Sequence, residues 1–403
     1  MKLPLQGIKV VDLSNVLMAP HATQILGDLG ADVIKVEAPE GDPLRGIGPF
    51  RNPGMGAIFL HANRSKRSIV LDLKQPAGRE ALMRLLPDAD LMVYNLRPRV
   101  MQRLGLSYDE VAAANPRIVY AGLFGYGQAG PYADRPAYDD LIQGAAAIPW
   151  LSHIASGEPP RYVPTAIVDR GVALSAVGLI NAALLHQVRT GEGQRLDIPM
   201  FETMAAFVLG DHMAGETFDP PLGPPGYPRM LTPDRRPYRT RDGYLCILVY
   251  SDRQWRSFFR LLGREDEFER DPRFADMTTR TRNIEAIYGE LAAVIAERST
   301  AEWLALLEDA DIPAMPLHSL ESLLDDPHLA AVGFFATADH PSEGRLRQMA
   351  VPSTWSKTQP CATRPAPRLG EHSVAVLREH GYAEHEIRAL LAAGVTRAPA
   401  GPR

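Results

Sequence analysis

Five short apolar runs follow one another through the first third of the chain, and the stretches between them carry helical patterns. Ile8–Leu13, Val33–Glu37, Ile69–Leu73, Leu91–Asn95 and Ile118–Phe124 read as strands. Strands joined through helices pair in parallel, because a helical crossover carries the chain back to the end of the sheet from which it started. The first connection has Pro20 near its start, Ala22, Ile25, Leu26 and Leu29 on one face, and Gly30 as its stop. Another strand is expected over Arg195–Ile198, after the Gly191-Glu192-Gly193 turn, with a helix beginning near Phe201. The fold class expected from this rhythm is α/β.

At 403 residues the chain is long enough for two cores. The run Pro220-Pro221-Leu222-Gly223-Pro224-Pro225-Gly226-Tyr227-Pro228 makes neither a helix nor a central strand, and a linker is expected there. Beyond it, a strand over Tyr244–Tyr250 and helices around Trp255–Leu262 and Ile284–Ile295 fit a smaller α+β domain. Ser299 and Glu302 form a capping box before Trp303, Leu306 and Leu307. A Pro-rich crossing, Pro360–Pro367, and an amphipathic helix over Glu384–Leu391 follow in the tail. The expected division is 1–215 for a large domain, 216–325 for linker and small domain, and 326–403 for a C-terminal segment.

A net charge of -5 and scattered Lys and Arg argue against a nucleic-acid backbone as partner. Two cysteines, Cys246 and Cys361, support neither a disulfide framework nor a zinc site, and no metal ligation is expected. Met1–Ile8 lacks a signal-peptide core, and no apolar stretch reaches the length of a membrane span. A soluble, cytoplasmic protein is expected.

Asp169 closes a run, Val163–Val168, that reads as extended, just before an apolar, small-residue helix over Gly171–Leu185 expected to be buried on most sides. Asp at such a place is either an N-cap or a carboxylate kept ionised by the helix dipole and free backbone N–H groups. An ionised carboxylate is what covalent catalysis requires. Gly125-Tyr126-Gly127-Gln128-Ala129-Gly130 matches a dinucleotide-binding glycine pattern. Pro131-Tyr132 follows it instead of a helix, so it is expected to be a flexible loop near a sheet end. Two basic runs, Asn63-Arg64-Ser65-Lys66-Arg67 and Arg97-Pro98-Arg99 to Arg103, flank strand ends where a phosphorylated cofactor could be held.

The chain resembles the family III (CaiB/BaiF) CoA-transferases along nearly its whole length. The resemblance is carried by Val11-Asp12-Leu13-Ser14 with Ala19-Pro20, by Leu29 to Glu37, and by Asn63-Arg64 with Lys66-Arg67-Ser68. Asn95 to Leu104, Gly125 to Gly130, Asp169 and Pro367-Arg368-Leu369-Gly370-Glu371-His372 complete it. It implies a Rossmann-like large domain, a smaller domain, and an interlocked-ring homodimer. It also implies an enzyme that moves coenzyme A from an acyl-CoA to a free carboxylic acid, with Asp169 as nucleophile and no metal. Lys74, Asn95, Arg97 and Arg103, with the backbone of Leu17 and Met18, match the coenzyme A contacts, and backbone N–H groups near Asp169 would receive the oxyanions.

The chain departs from the pattern in places. Leu17 stands where some relatives carry Gln, and Ala38 where an adenine-flanking Arg is usual, with Arg45 as its expected substitute. Racemases of the same superfamily have a His where this chain has Tyr138, so an isomerase lacks its second base here, and Asp139 is expected to be a second acid at the site. Tyr138 is expected either to face the acyl-CoA or to pack on the following helix. Of the relatives' glycine run only Gly223 and Gly226 remain. Arg229, Arg235, Arg236, Arg239 and Arg241 would suit the second carboxylate of a dicarboxylic acceptor. Acyl-CoA racemisation and non-catalytic acyl-CoA binding are the rival readings.

Overall fold

Six strands pair in parallel in the order β3-β2-β1-β4-β5-β6 in the computed structural model, which describes residues 2–399. Met1 and residues 400–403, the outer ends of the expected domains, lie outside the described residues. The strands are β1 Lys9–Leu13, β2 Asp32–Glu37, β3 Lys66–Val70, β4 Leu91–Tyr94, β5 Val119–Phe124 and β6 Gln194–Pro199. Val10, Val11, Val33, Leu91, Met92, Val93, Val119 and Ala121 are buried, which a sheet covered on both faces requires. Each buried aliphatic side chain of Leu or Val size contributes roughly 1.5–3 kcal/mol. In this strand order the connections reverse direction between β1 and β4, and ligands of open α/β sheets bind in the crevice at such a point.

β3 lies three residues earlier than the expected Ile69–Leu73, and the reason is electrostatic. Lys66 is fully buried in its first position, where its ammonium donates to Asp12 Oδ2 at 3.0 Å, Asn63 Oδ1 at 2.9 Å and the Pro20 carbonyl at 2.8 Å. Burial lowers Lys66 to about 8, and its acceptors keep it protonated at neutral pH. Burial works to raise Asp12, but the charges of Lys66 and Lys35 overcome it and hold the carboxyl below 3.8. Arg64 pairs with Asp28 at 2.7 Å, and Arg67 with Asp32 at 2.5 Å and Glu379 at 2.6 Å. The first basic run is therefore spent on holding the fold, not on a phosphorylated ligand.

The long helix begins at Ile167, not at Gly171, and runs 24 residues to Thr190, so the extended run expected up to Val168 ends earlier. It is long and apolar enough, by length and composition, to cross a membrane, which corrects the expectation that no segment is. The expectation of burial on most sides is corrected as well. Val168, Val172, Ala176, Ile180 and Leu184, spaced at four residues, form one buried stripe, while Leu174 and Val188 on another face are 62% and 66% exposed.

The chain divides into two compact units. The first comprises residues 1–146, 164–206 and 328–403, and the second 147–163 and 207–327. Residues 147–163 thus group with the second unit, and the later break falls inside the helix Met200–His212. In the second unit, β7 Tyr238–Arg239, β8 Tyr244–Ile247 and β9 Ala314–Pro316 form an antiparallel sheet. Helices Asp252–Leu261, Ile284–Ile295 and Thr300–Asp309 supply its core, where Trp303 stacks on Phe258 and donates Nε1–H to the Ile295 carbonyl at 2.8 Å. The capping box at Ser299 and Glu302 forms where the sequence placed it.

In the first unit's tail, β10 Phe335–His340 and β11 Gly344–Met349 make a hairpin. The chain then runs along the outer edge of β3. Ser65 N–H donates to the Arg364 carbonyl, His372 N–H to the Ser68 carbonyl, and Asp72 N–H to the Val395 carbonyl, at 2.9, 2.9 and 2.8 Å. An edge that would otherwise present unpaired backbone groups is thereby covered.

Candidate active site

Two clefts lie along the carboxyl ends of the parallel strands, and they share Asn15, Leu96 and Val100. The loop after β1 forms their common wall. Asn95, just past β4, donates Nδ2–H to the Asn15 carbonyl at 2.7 Å and accepts Asn15 N–H at 3.1 Å, bridging the point where the strand order reverses. Next to it Val16 has φ +64°, a conformation costly for a β-branched residue, on the order of 1–3 kcal/mol. Asp42 Oδ1 accepts Val16 N–H at 3.2 Å and helps to hold it. Strain maintained by two separate anchors marks a loop whose shape matters. Leu17 then caps the helix Met18–Asp28 and packs with Leu44 and Phe59.

The second cleft, about 320 Å³, collects Leu17, Met18, Asn95, Arg97, Tyr138 and Asp169. Lys74 lines the first, about 300 Å³, together with Ala38. Arg103 lines neither cleft. Arg45 does not substitute at Ala38: both Nε and Nη2 bond to Glu37, at 2.8 and 2.7 Å, and the guanidinium covers the Phe59 ring. Tyr138 is 66% exposed, which rules out packing as its role in the chain alone. Asn15, Arg135 and Met200 also reach the second cleft and were not singled out from sequence. For Asn15, its place immediately after β1 was the available signal.

Asp169 is the third residue of its helix, and Ala166 is the N-cap, so the capping alternative is excluded. The cap comes from elsewhere. Asp139, at the start of the helix Asp139–Ala145, accepts the N–H groups of Val168 and Asp169 on Oδ1 at 2.8 and 2.9 Å. Its Oδ2 accepts Gln143 Nε2–H at 2.6 Å. With donors on both oxygens, Asp139 fastens the start of the long helix. Those two amides are also spent, so they are not oxyanion donors.

Burial, and then the charge of Asp139, raise Asp169 from 3.8 to about 6, while Arg170 pulls the other way. The expectation that the helix end would simply favour the ion is thus corrected: desolvation and a like charge dominate. The group remains ionised above about pH 6 and poorly solvated, a combination suited to a nucleophile.

The glycine loop is anchored as well. Glu202 Oε1 accepts Gly127 N–H at 2.8 Å, Phe201 N–H donates to the Gly125 carbonyl at 3.0 Å, and Tyr126 packs edge-on to Tyr132. A Cβ at Gly127 would lie 2.5 Å from Glu202 Oε1, so a side chain there would push that carboxylate aside.

The sequence model of CoA-transferase family III matches residues 5–373. The succinate–glutarate CoA-transferase of Agrobacterium fabrum is 33% identical over 94% of this chain and 96% of its own length. The acetyl-CoA:oxalate CoA-transferase of Acetobacter aceti is 32% identical, over 94% and 97% respectively. Among solved structures, a CAIB/BAIF family protein from Brucella suis aligns with a TM-score of 0.77 at 31% identity, over 94% of this chain and 100% of the other.

Proposed function

The chain belongs to CoA-transferase family III, and from that premise we propose that it moves coenzyme A from an acyl-CoA donor to a free carboxylic acid through covalent intermediates on Asp169. One observation carries this reading. Among the described residues a single carboxylate opens into the second cleft, its helix end already satisfied by Asp139, and that cleft adjoins the one holding Lys74.

In the proposed sequence the Asp169 carboxylate attacks the thioester carbonyl and expels the coenzyme A thiolate, leaving a mixed anhydride. The thiolate attacks the Asp169 carbonyl of that anhydride, releasing the first acid and forming an aspartyl thioester. The acceptor carboxylate displaces the thiolate to form a second anhydride. Attack of the thiolate on the acceptor's acyl carbon then gives the new thioester and frees Asp169. Lys74 and Arg97 supply positive charge for the phosphates of coenzyme A, and a dicarboxylic acid is the proposed acceptor class. Racemisation would need a second base near Asp169, and Asp139, bonded on both oxygens, supports that poorly.

The pH dependence tests the roles of both carboxylates. Only ionised Asp169 attacks, so kcat/KM should rise with pH through about 6, with about a tenth of full activity at pH 5. Asp139→Asn keeps an acceptor for the two amides and removes the like charge. Its acid limb should move to lower pH yet stay above 3.8, because burial still raises the group. A limb that does not move would reduce Asp139 to a helix cap.

We also propose a homodimer, supported by the uncovered apolar face of the long helix, where Leu174, Leu185 and Val188 surround Gly178 and Ala182. Light scattering should give twice the chain mass for the wild type, and Leu185→Glu with Val188→Asp should give a monomer. A monomeric wild type at micromolar concentration would exclude the dimer.

A further inference from the structure

The second unit contains a cavity of about 300 Å³ whose lining includes Arg229, Arg235 and Arg236 and no acidic residue. Arg236 is neutralised by Asp234 at 3.1 Å. Among the described residues the other two have no anionic partner. Arg229 donates Nε–H to the Tyr288 hydroxyl at 3.2 Å and faces the Tyr250 ring. The Arg235 side chain has no hydrogen-bond or ion-pair partner among the described residues. The remaining wall is largely apolar, with Ile247 and Leu291. Clustered guanidinium groups repel one another unless an anion sits between them, and their planar forks match a carboxylate.

We propose that this cavity binds a small organic carboxylate, its charged end held by Arg229 and Arg235 and its hydrocarbon body lying on the apolar wall. The choice of ligand class rests on the acid-accepting reading of the enzyme, whereas the site itself rests on the unpaired arginines. Arg239, on β7 and outside this cavity, and Arg241, paired with Glu302 at 3.0 Å, take no part, so the run of five arginines divides.

Cys246 lines the same cavity and is half-buried, while Cys361 is exposed elsewhere in the chain, so the two thiols report occupancy and its control in one protein. In the Asp169→Ala protein, where turnover cannot consume ligand, alkylation of Cys246 by iodoacetamide is followed by mass spectrometry. Increasing glutarate should slow it saturably, with Cys361 unaffected. Arg235→Ala should raise the half-protecting concentration at least about tenfold, and Arg239→Ala should leave it unchanged. Three results overturn the proposal: no protection by glutarate or 4-methylpentanoate, protection indifferent to Arg235, or equal protection by inorganic phosphate. Failure of the acid-transfer reading would instead show as a wild-type enzyme that moves coenzyme A to no acid of a panel, a separate measurement.

Discussion

Replacing Asp169 with Ala is expected to lower CoA transfer by at least about 10⁴-fold, because in the proposed route the donor acyl group, the thiol and the acceptor are each bonded to this side chain in turn. The loss should fall on kcat. Coenzyme A affinity, which we assign to the clefts along the strand ends, should stay within about threefold of the wild type. Asp169→Asn should behave in the same way, since the amide keeps size and hydrogen bonding but cannot attack. Borohydride added during turnover should reduce the aspartyl thioester and leave homoserine at position 169, readable by mass spectrometry. Fast turnover in which this position is never modified would refute the covalent route, as would an Asp169→Ala enzyme with an undiminished rate.

The second large effect is on stability. Lys66→Met should cost about 3–5 kcal/mol, the range found when one partner of a buried ion pair is removed. Its ammonium faces Asp12, which is 0% exposed, and the carboxylate would be left with Ser14 and Thr23 hydroxyls and the more distant Lys35. By contrast, breaking the exposed Arg264–Glu267 pair should leave the unfolding midpoint nearly unchanged, because solvent already screens both charges. Denaturant unfolding of both variants, followed by far-UV circular dichroism, makes the comparison. If Lys66→Met unfolds at the wild-type midpoint, the ammonium is not holding the sheet. Restoring neutrality with Asp12→Leu in the Lys66→Met background should recover part of the loss.

How legible each element was in the sequence depends on where its partners lie. β4 and β5 are continuous apolar runs in a sheet covered on both faces, and β1, β2 and β6 keep enough apolar residues between their polar ones to be located within about a residue or two. β3 was displaced because its first residues are polar, and their counterions, Asp12, Asp32 and Glu379, are far away in sequence. The same long-range pairing made Arg64 and Arg67 look available to a ligand. The hairpin of β10 and β11 went unread because its alternation is weak and its inward residues few.

The site shows the same division. Asp169 stood out because a lone acid beside an apolar helix is conspicuous, but its neighbour's part was hidden. Asp139 is 30 residues upstream, and only the fold brings its oxygen onto the first amides of the long helix. The acid that raises Asp169 is therefore also the one that fastens its helix. No local pattern encodes that double duty.

The covering of β3 by residues 364–396 has a bearing on how this protein is made. The strands are translated early, yet the segment that seals their outermost member emerges only after the whole second unit has been made. Throughout synthesis of the second unit, the nascent chain carries a sticky flank able to recruit a neighbour's strand. Quality of expression should accordingly hinge on how promptly the tail arrives, and a premature stop near its start would release aggregation-prone fragments instead of a smaller working enzyme.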